Sequence, residues 1–475
     1  MEKRRRIAGD GGSRAMEENT MAILDTSGFT TSKLSHHLDD DRLAFLEAVR
    51  TASLLPDNGS APTRKMFEAI FHILKNVDSL DLIIESYQIL IELEKRFPRV
   101  YLSKQEADSS SPSPSPSPSP SEVTSQVIMV EEAWLPFNFG TDSYNDKGAG
   151  TNHSGSSVDS TGFHALIQEI AEVTKERKSE AKETTFLKNM LVLQYLITVL
   201  EGDFTPRNRA YHESMEWTLL RESQLSMLLG SRKIMYKGLM KDCLSIMCNI
   251  SQSTEFSEET SNHENSPGEL VHEINPAIAL ALPDVKKSTC TALMRFFLMI
   301  MELDSSRQIA DKQGVTTRAD GVRTSAVEII LDELIYNNDI LCSFLQVFDP
   351  KWKLEIIVQY FQKYIPKSSV QTRRSSGTTT NADNFDGVLK CLSNNNITKS
   401  IIKKLSTEVV QLLLAYAFQA YLALLEDDKS NSVEQVCKNV VHAFTCLKRE
   451  DPHTEILCIG REALFTAATI LSTRP

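Results

Sequence analysis

The sequence predicts an all-α fold, arranged as a divergent armadillo- or HEAT-like helical repeat array. Glycine, at 19 of 475 residues, and aromatic residues, at 7%, are scarce for a protein built from strands and tight turns. Apolar residues recur at helical spacing, and no convincing alternating run exceeds five residues. About fifteen predicted helices with short connections suggest antiparallel pairs stacked into a solenoid. Neither a tetratricopeptide nor an ankyrin period is present.

The first segment, residues 1–38, is polar and lacks apolar periodicity, which is typical of a disordered tail. A basic cluster near its start is a candidate nuclear import signal, formed by Lys3, Arg4, Arg5 and Arg6. No apolar segment follows this cluster, so it does not resemble a secretory signal.

A first helical block is predicted over residues 39–105, with three amphipathic helices. Thr63 is suited to cap the second helix, and Asp78 is suited to open the third. Pro98 is expected to end the third helix, because proline cannot donate to the helical hydrogen-bond ladder.

Residues 106–162 are predicted to be a Ser-, Pro- and Gly-rich linker, because alternating prolines keep a backbone extended and solvated. The apolar stretch 131–140 within it is expected to dock onto the helical body. The Ser-Pro pairs are either targets of proline-directed kinases or a tolerated insertion. The candidate phosphorylation sites are Ser111, Ser113, Ser115, Ser117 and Ser119.

The second helical block is predicted over residues 163–252, with an acidic linker at 253–275 after it. Its helices are expected at 163–180, 184–201, 211–230 and 232–250. The motif DFTPRN at 203–208 contains Pro206, so it is predicted to be a polar turn between two helices, with Arg207 and Arg209 projecting.

The third block, residues 276–367, is predicted to contain a long helix at 289–303 and then three short amphipathic helices. Ser325 with Glu328 forms a capping box. Asp349 is a cap followed by proline at the first helical position, and Pro366 is expected to close that helix.

A Ser-, Thr- and Arg-rich loop at 368–384 offers Ser375 and Ser376 as candidate phosphorylation sites for a basophilic kinase. The last helical block covers residues 385–475. Its helices are expected at 385–394, 407–426, 432–448 and 454–472, and Ser432 with Gln435 repeats the capping-box pattern.

The formal charge of −12 argues against nucleic-acid binding by the whole surface. Residues 351–404 are locally basic, however, with ten Lys or Arg residues against three Asp or Glu. They form either a solvated face or a contact for DNA backbone or an acidic partner. The candidate contact residues are Lys351, Lys353, Lys399, Lys403 and Lys404.

The sequence contains no motif that indicates catalysis, a cofactor or a metal ion. Phosphate-binding glycine loops, H-E-x-x-H and G-x-S-x-G are absent. The eight cysteines include no C-x-x-C pair and read as buried, reduced thiols. The longest uncharged run, 409–425, has 17 residues, fewer than a membrane span needs. We therefore expect no enzyme, no small-molecule substrate and no membrane partner.

Seven segments carry a family resemblance, and together they follow one another along nearly the whole chain. They are LDTSG (24–28), RFPRVY (96–101), EEAWLPFNFG (131–140), DFTPRN (203–208), LMKDCLSIMC (239–248), MIMELDSSRQIAD (299–311) and the stretch 320–367. With them the chain resembles the plant negative regulators of systemic acquired resistance, the suppressor of npr-one inducible family. The Ser-Pro run and the length of the acidic linker depart from the family pattern.

The resemblance implies a nuclear, non-enzymatic scaffold or regulatory subunit of the SMC five/six complex, which acts in double-strand-break repair by homologous recombination. It also implies repression of defence genes and of systemic acquired resistance. The expected partners are chromosome-maintenance subunits and a second helical subunit, with a possible weak DNA contact. The alternative is a repressor that binds promoter DNA directly.

Overall fold

A computed structural model of the chain describes residues 18, 20–22, 24, 35–104, 125–130, 134–139, 157–175, 183–259, 276–317, 324–334, 338–347, 349–365, 384–425 and 430–473. The chain forms two compact units, Met1–Arg323 and Thr324–Pro475.

The described residues are mostly helical, so the predicted all-α class is confirmed, whereas the armadillo- or HEAT-like repeat type stays a prediction. The first unit contains α1 (Ser35–Val49) with a π-helical turn (Arg50–Leu54), α2 (Arg64–Asn76), α3 (Leu80–Arg96), β1 (Val100–Lys104), β2 (Ser125–Met129), α4 (Ser160–Lys175), α5 (Glu183–Ser214), α6 (Trp217–Arg221), α7 (Gln224–Gly230), α8 (Tyr236–Glu259) and α9 (Pro276–Gln313). The second contains α10 (Ala326–Leu334), α11 (Asn338–Val347), α12 (Pro350–Gln362), α13 (Phe385–Leu392), α14 (Asn395–Leu405), α15 (Thr407–Ala423), α16 (Ser430–Glu450) and α17 (Cys458–Thr473).

The predicted start of α2 and the predicted end of α3 follow from local chemistry. Thr63 caps α2, since its side-chain oxygen accepts from the backbone N–H of Met66 at 3.4 Å. Helix α3 ends before Pro98, as expected. Asp78 does not open α3, however. Its carboxylate instead accepts from Lys188 Nζ at 2.9 Å, and so joins the start of α3 to α5.

Helix α5 is the centre of the first unit, with neighbours α2, α3, α4 and α9 and the β1–β2 hairpin around it. The predicted turn at 203–208 is wrong, because α5 runs through it with Pro206 inside the helix. The Asp203 carboxylate accepts from Arg207 Nε at 3.0 Å, one helical turn away, and from the backbone N–H of Gln224 at 2.7 Å. These buried contacts stabilise helical geometry that Pro206 opposes.

Replacing Pro206 with alanine is expected to raise the free energy of unfolding of the first unit by about 1–3 kcal/mol. An interior proline costs about 3 kcal/mol relative to alanine, and the surrounding contacts have already adapted to part of that cost. The measurement is urea denaturation followed by circular dichroism, with hydrogen exchange to locate the change in α5. A Pro56→Ala variant, in a connecting segment outside the helices, is the matched control. A destabilised P206A protein would contradict the expectation.

The hairpin of β1 and β2 is a strand pair that the sequence analysis missed. Its antiparallel register places Val100 opposite Met129 and Lys104 opposite Ser125. Val100 is buried, and both strands contact α5. The strands are only five residues each and are separated by the Ser-Pro segment, so no local hairpin signal joins them.

Two helices of the first unit are longer than predicted. Helix α8 continues to Glu259, into the segment expected to be an acidic linker. Helix α9 covers 38 residues and includes Pro283, whereas the sequence indicated only residues 289–303. Most of its buried residues lie from Thr289 onward, where the helix packs on α5. The apolar periodicity of the sequence therefore indicated only this part of the helix.

The three short helices predicted before residue 367 are confirmed as α10, α11 and α12. Ser325 Oγ accepts from the backbone N–H of Glu328 at 3.3 Å, and Asp349 Oδ1 accepts from that of Trp352 at 3.1 Å. Helix α12 ends at Gln362, four residues before the proline expected to close it. Helix α16 begins at Ser430, so Ser432 does not hold the cap position predicted for it.

Helix α15 is the centre of the second unit and contacts α12, α14, α16 and α17. Ser406, which ends α14 and caps α15, has φ 66° and ψ 157°. This conformation is nearly restricted to glycine. The Ser406 side chain accepts from the backbone N–H of Val409 at 3.4 Å, which offsets part of the strain.

Replacing Ser406 with glycine is expected to stabilise the second unit by about 1 kcal/mol, because the strain removed exceeds the few tenths lost on changing the cap. Differential scanning calorimetry should show a higher melting temperature. Ser406→Ala is the matched control, because it removes the cap and keeps the strain, and it should lower the melting temperature. Equal effects of the two variants would contradict this account.

Candidate functional site

Arg99, from the RFPRVY motif, lies at the centre of a buried polar network in the first unit. Its Nη2 donates to Glu94 Oε2 at 2.6 Å and to the Tyr195 hydroxyl at 3.0 Å. Burial lowers the pKa of Arg99, but Tyr195 and Glu94 together raise it above its ordinary value. Burial raises the pKa of Glu94, although Arg99 opposes this. Arg99 thus remains charged beside its carboxylate partner.

The segment expected to dock, 131–140, supplies Trp134 to the same network. The Arg99 guanidinium lies 5.9 Å from the ring centroids of both Trp134 and Phe67, within cation–π range. Trp134 is 4% exposed, and its ring centroid is 5.4 Å from that of Phe71. Phe137 is also buried, with its ring 6.0 Å from Phe163. Four segments distant in sequence therefore meet around one arginine.

The DFTPRN residues extend this network along α5. Arg207, which was expected to project from a turn, is instead 4% exposed and donates to Met129 Sδ in β2. Burial raises the pKa of Asp203, while Arg207 is the strongest of the groups that lower it, and Arg99 also contributes. The network's charged groups face one another inside the unit. These groups hold β1, β2, α5 and the Trp134 segment together. Because their charges are buried and paired with one another, they do not face an external ligand.

The five predicted basic contact residues lie in two groups on the second unit. Lys351 is exposed at the start of α12, and half-buried Lys353 lies 5.5 Å from the Tyr416 ring. Burial lowers the pKa of Lys353, although Asp349 opposes this. Lys399, Lys403 and Lys404 are exposed on α14.

One member of the second lysine group, Lys404, lies against Tyr364, whose ring is 5.3 Å from that of Tyr360. Lys404 Nζ lies 5.5 Å from the ring of Tyr364, and Lys363 Nζ lies 5.7 Å from the same ring. Lys363 also pairs with Glu328 at 2.9 Å and Asp332 at 2.8 Å. Positions 353 and 364 are eleven residues apart, and the helical part between them, residues 353–362, alone covers roughly 14 Å along the axis of α12. The candidate residues therefore form two small patches and no single broad one.

The other candidate sites fall outside the described residues. These are the import signal Lys3, Arg4, Arg5 and Arg6, and the serines Ser111, Ser113, Ser115, Ser117, Ser119, Ser375 and Ser376. Within the described part of the chain, no group of three His, Cys, Asp or Glu residues could hold a metal ion. No helix in that part is long and apolar enough to cross a membrane.

Two family models match the chain. The SNI1 middle domain matches residues 99–350, and the SNI1 C-terminal domain matches residues 365–475. The chain belongs to the SNI1 family. The SNI1 middle-domain match ends at 350, inside the second structural unit, which begins at Thr324.

A relative from Arabidopsis thaliana, named "Negative regulator of systemic acquired resistance SNI1", is 42% identical over 470 residues. The alignment covers 98% of this chain and 96% of that relative. No solved structure matches the chain. The segments RFPRVY, EEAWLPFNFG and DFTPRN, on which the sequence resemblance rests, supply Arg99, Trp134, Asp203 and Arg207 to the buried network. In this chain these residues therefore have a structural role.

Sequence reasoning did not identify Glu94 and Tyr195 as partners of Arg99. Tyr195 lies within an apolar helical stretch, where a tyrosine reads as ordinary core, and 96 positions separate it from Arg99. The sequence did contain a signal for the Glu94–Arg99 pair. Arg99 directly follows the proline that ends α3, and Glu94 lies in the last turn of that helix.

Proposed function

We propose that this chain is a non-enzymatic nuclear scaffold or regulatory subunit of the SMC five/six complex, acting in double-strand-break repair by homologous recombination. We further propose that it negatively regulates systemic acquired resistance and defence-gene expression. The observation that carries the regulatory role is the 42% identity, across 98% of the chain, to a relative named as a negative regulator of systemic acquired resistance. Membership of the complex rests on the family resemblance of the sequence motifs.

The described fold supports a scaffold role through the placement of its charges. The charged groups of the Arg99 and Asp203 network pair with one another in the interior of the first unit. The exposed helical faces, such as the lysine face of α14, are left for contact with other proteins. The expected partners are chromosome-maintenance subunits and a second helical subunit.

Crosslinking mass spectrometry of the tagged full-length chain, purified from plant nuclei, tests this proposal. We expect crosslinks to chromosome-maintenance subunits, concentrated on exposed lysines of the helical units. An unrelated tagged nuclear helical protein, expressed at the same level, is the control. Recovery of the chain from nuclei without those subunits would count against membership of the complex, and loss-of-function plants with unchanged defence-gene expression would count against the regulatory role.

A second candidate function is direct DNA binding as a promoter-associated repressor. It is favoured by Lys399, Lys403 and Lys404, which are exposed on α14 and have no carboxylate partner among the described residues. Like charges at positions 399 and 403 repel slightly on the helix surface, and phosphate contacts would relieve that repulsion.

Replacing all three α14 lysines with glutamate separates the two functions. A DNA-binding repressor should lose affinity for duplex DNA, and the slope of log affinity against log salt should fall by about three. The charge-matched control changes Lys233, Lys237 and Lys287 in the first unit, which are also exposed. If the unmodified protein has no salt-dependent affinity for DNA, the repressor function is excluded and the scaffold function is untouched.

A further inference from the structure

A groove of about 400 Å³ runs between α16 and α17 in the second unit. Phe444, at 2% exposure, forms its floor, and half-buried Ile456 and Leu464 form an apolar wall. Thr445, Lys448 and Arg449 complete the lining from α16. The volume is in the range of binding pockets and is large enough for one or two apolar side chains.

Gly460 fixes the packing beneath this groove. A Cβ atom at that position would lie 3.0 Å from Phe444 Cε1 and 3.1 Å from Ile456 Cγ2. A side chain at position 460 would therefore push Phe444 and Ile456 away from the first turn of α17 by a few tenths of an ångström. The close approach of the Gly460 backbone thus supports the Phe444 and Ile456 side chains that line the groove.

The two cations at the groove are fixed by neutral acceptors. Lys448 Nζ donates to the backbone carbonyls of Pro452 and Thr454, each at 2.9 Å. Arg449 Nη2 donates to Asn395 Oδ1 and to Cys446 Sγ. Within the described residues, neither cation forms an ion pair with a carboxylate. Two positive charges are thus positioned at the groove by neutral acceptors.

We propose that the groove between α16 and α17 binds an acidic amphipathic peptide segment of a partner protein. One leucine or phenylalanine of the segment would occupy the apolar floor, and carboxylates beside it would accept hydrogen bonds from Lys448 and Arg449. Charge complementarity selects this occupant. A nucleic-acid backbone would satisfy the two cations but leave the Phe444, Ile456 and Leu464 surface without an apolar contact.

The test uses the full-length protein and a fluorescein-labelled twelve-residue peptide of alternating Asp-Glu pairs and Leu-Phe pairs. Fluorescence polarisation should give saturable binding that weakens with salt. Three variants should each weaken it at least fivefold: Lys448→Met and Arg449→Gln remove charge, and Thr445→Trp fills the groove from an exposed position. Lys438→Gln, on the same helix but outside the groove, should bind as the unmodified protein does.

Two control ligands decide the chemistry of the occupant. A peptide with serine in place of Leu and Phe should bind at least fivefold more weakly, and one with lysine in place of Asp and Glu should not bind. Circular dichroism melting of each variant confirms that it is folded. Failure of the acidic amphipathic peptide to saturate, or equal binding by T445W, would overturn the proposal. So would its displacement by duplex DNA that binds through Lys448 and Arg449, which would assign the groove to nucleic acid.

Discussion

Replacing Arg99 with methionine is expected to lower the free energy of unfolding of the first unit by about 3–5 kcal/mol, because it leaves the Glu94 carboxylate buried without its counter-charge. The change also removes the hydrogen bond to the Tyr195 hydroxyl and the guanidinium that lies over Phe67 and Trp134. Methionine retains much of the apolar stem, so the expected loss comes chiefly from electrostatics and hydrogen bonding.

Urea unfolding followed by circular dichroism measures this loss, and hydrogen exchange in α3 and α5 assigns it to the first unit. Arg42→Met is the matched control, because Arg42 pairs with Asp39 at a partly exposed position and should change stability by under about 0.5 kcal/mol. The double variant Glu94→Leu with Arg99→Met should recover part of the loss, since it buries no lone charge. Additive losses from the two single changes would refute the proposed coupling.

Local chemistry predicted much of the fold because caps and apolar periodicity act over a few residues. The side chains of Thr63, Ser325 and Asp349 each accept from the backbone N–H of the third residue of the helix that follows. A single sequence contains both partners of such a bond side by side. The starts of α2, α10 and α12 were therefore predictable, along with the all-α class.

The errors lie where tertiary contacts override local preference. Pro206 predicts a turn, but Asp203 bonds to Gln224, 21 residues away, and α5 is packed by neighbours on most sides. The strands β1 and β2 pair across the segment between positions 104 and 125, where no hairpin signal exists. Both contacts join residues far apart in the sequence, so local secondary-structure propensity does not indicate them.

The candidate surfaces show the same limit. Counting charges along the sequence detected the lysines of α12 and α14 but placed them in one patch. Such a count ignores the distance along α12 that separates the two groups in space. The groove between α16 and α17 was not predicted at all. Its floor depends on the approach of Gly460 to Phe444, and its cations are set by acceptors at Asn395 and Thr454. These are properties of packing rather than of composition.

Replacing Trp134 with alanine is also expected to have a large effect. It should lower the free energy of unfolding of the first unit by about 3–5 kcal/mol. The indole is 4% exposed against Phe67 and Phe71, and it contributes the aromatic face beneath Arg99. Its removal leaves a cavity and withdraws the cation–π contact at once, because both depend on the same ring. The surrounding helices α2 and α5 are held by other contacts, so they cannot collapse fully into the space.

Hydrogen exchange distinguishes docking of the Trp134 segment from mere coverage of the surface. In W134A, exchange should accelerate at Asn138 and Val158, whose backbone N–H groups donate to Val158 and Pro136 carbonyls, and in β1 beside Arg99. Phe465→Ala is the control, since Phe465 is 74% exposed on α17 and its loss should change stability by under about 0.5 kcal/mol. If the segment only covers the surface, its amides should exchange equally fast in W134A and in the unmodified protein. Because Trp134 contacts Arg99, the W134A and R99M losses should be non-additive by about 0.5–3 kcal/mol, which ties the docked segment to the buried network.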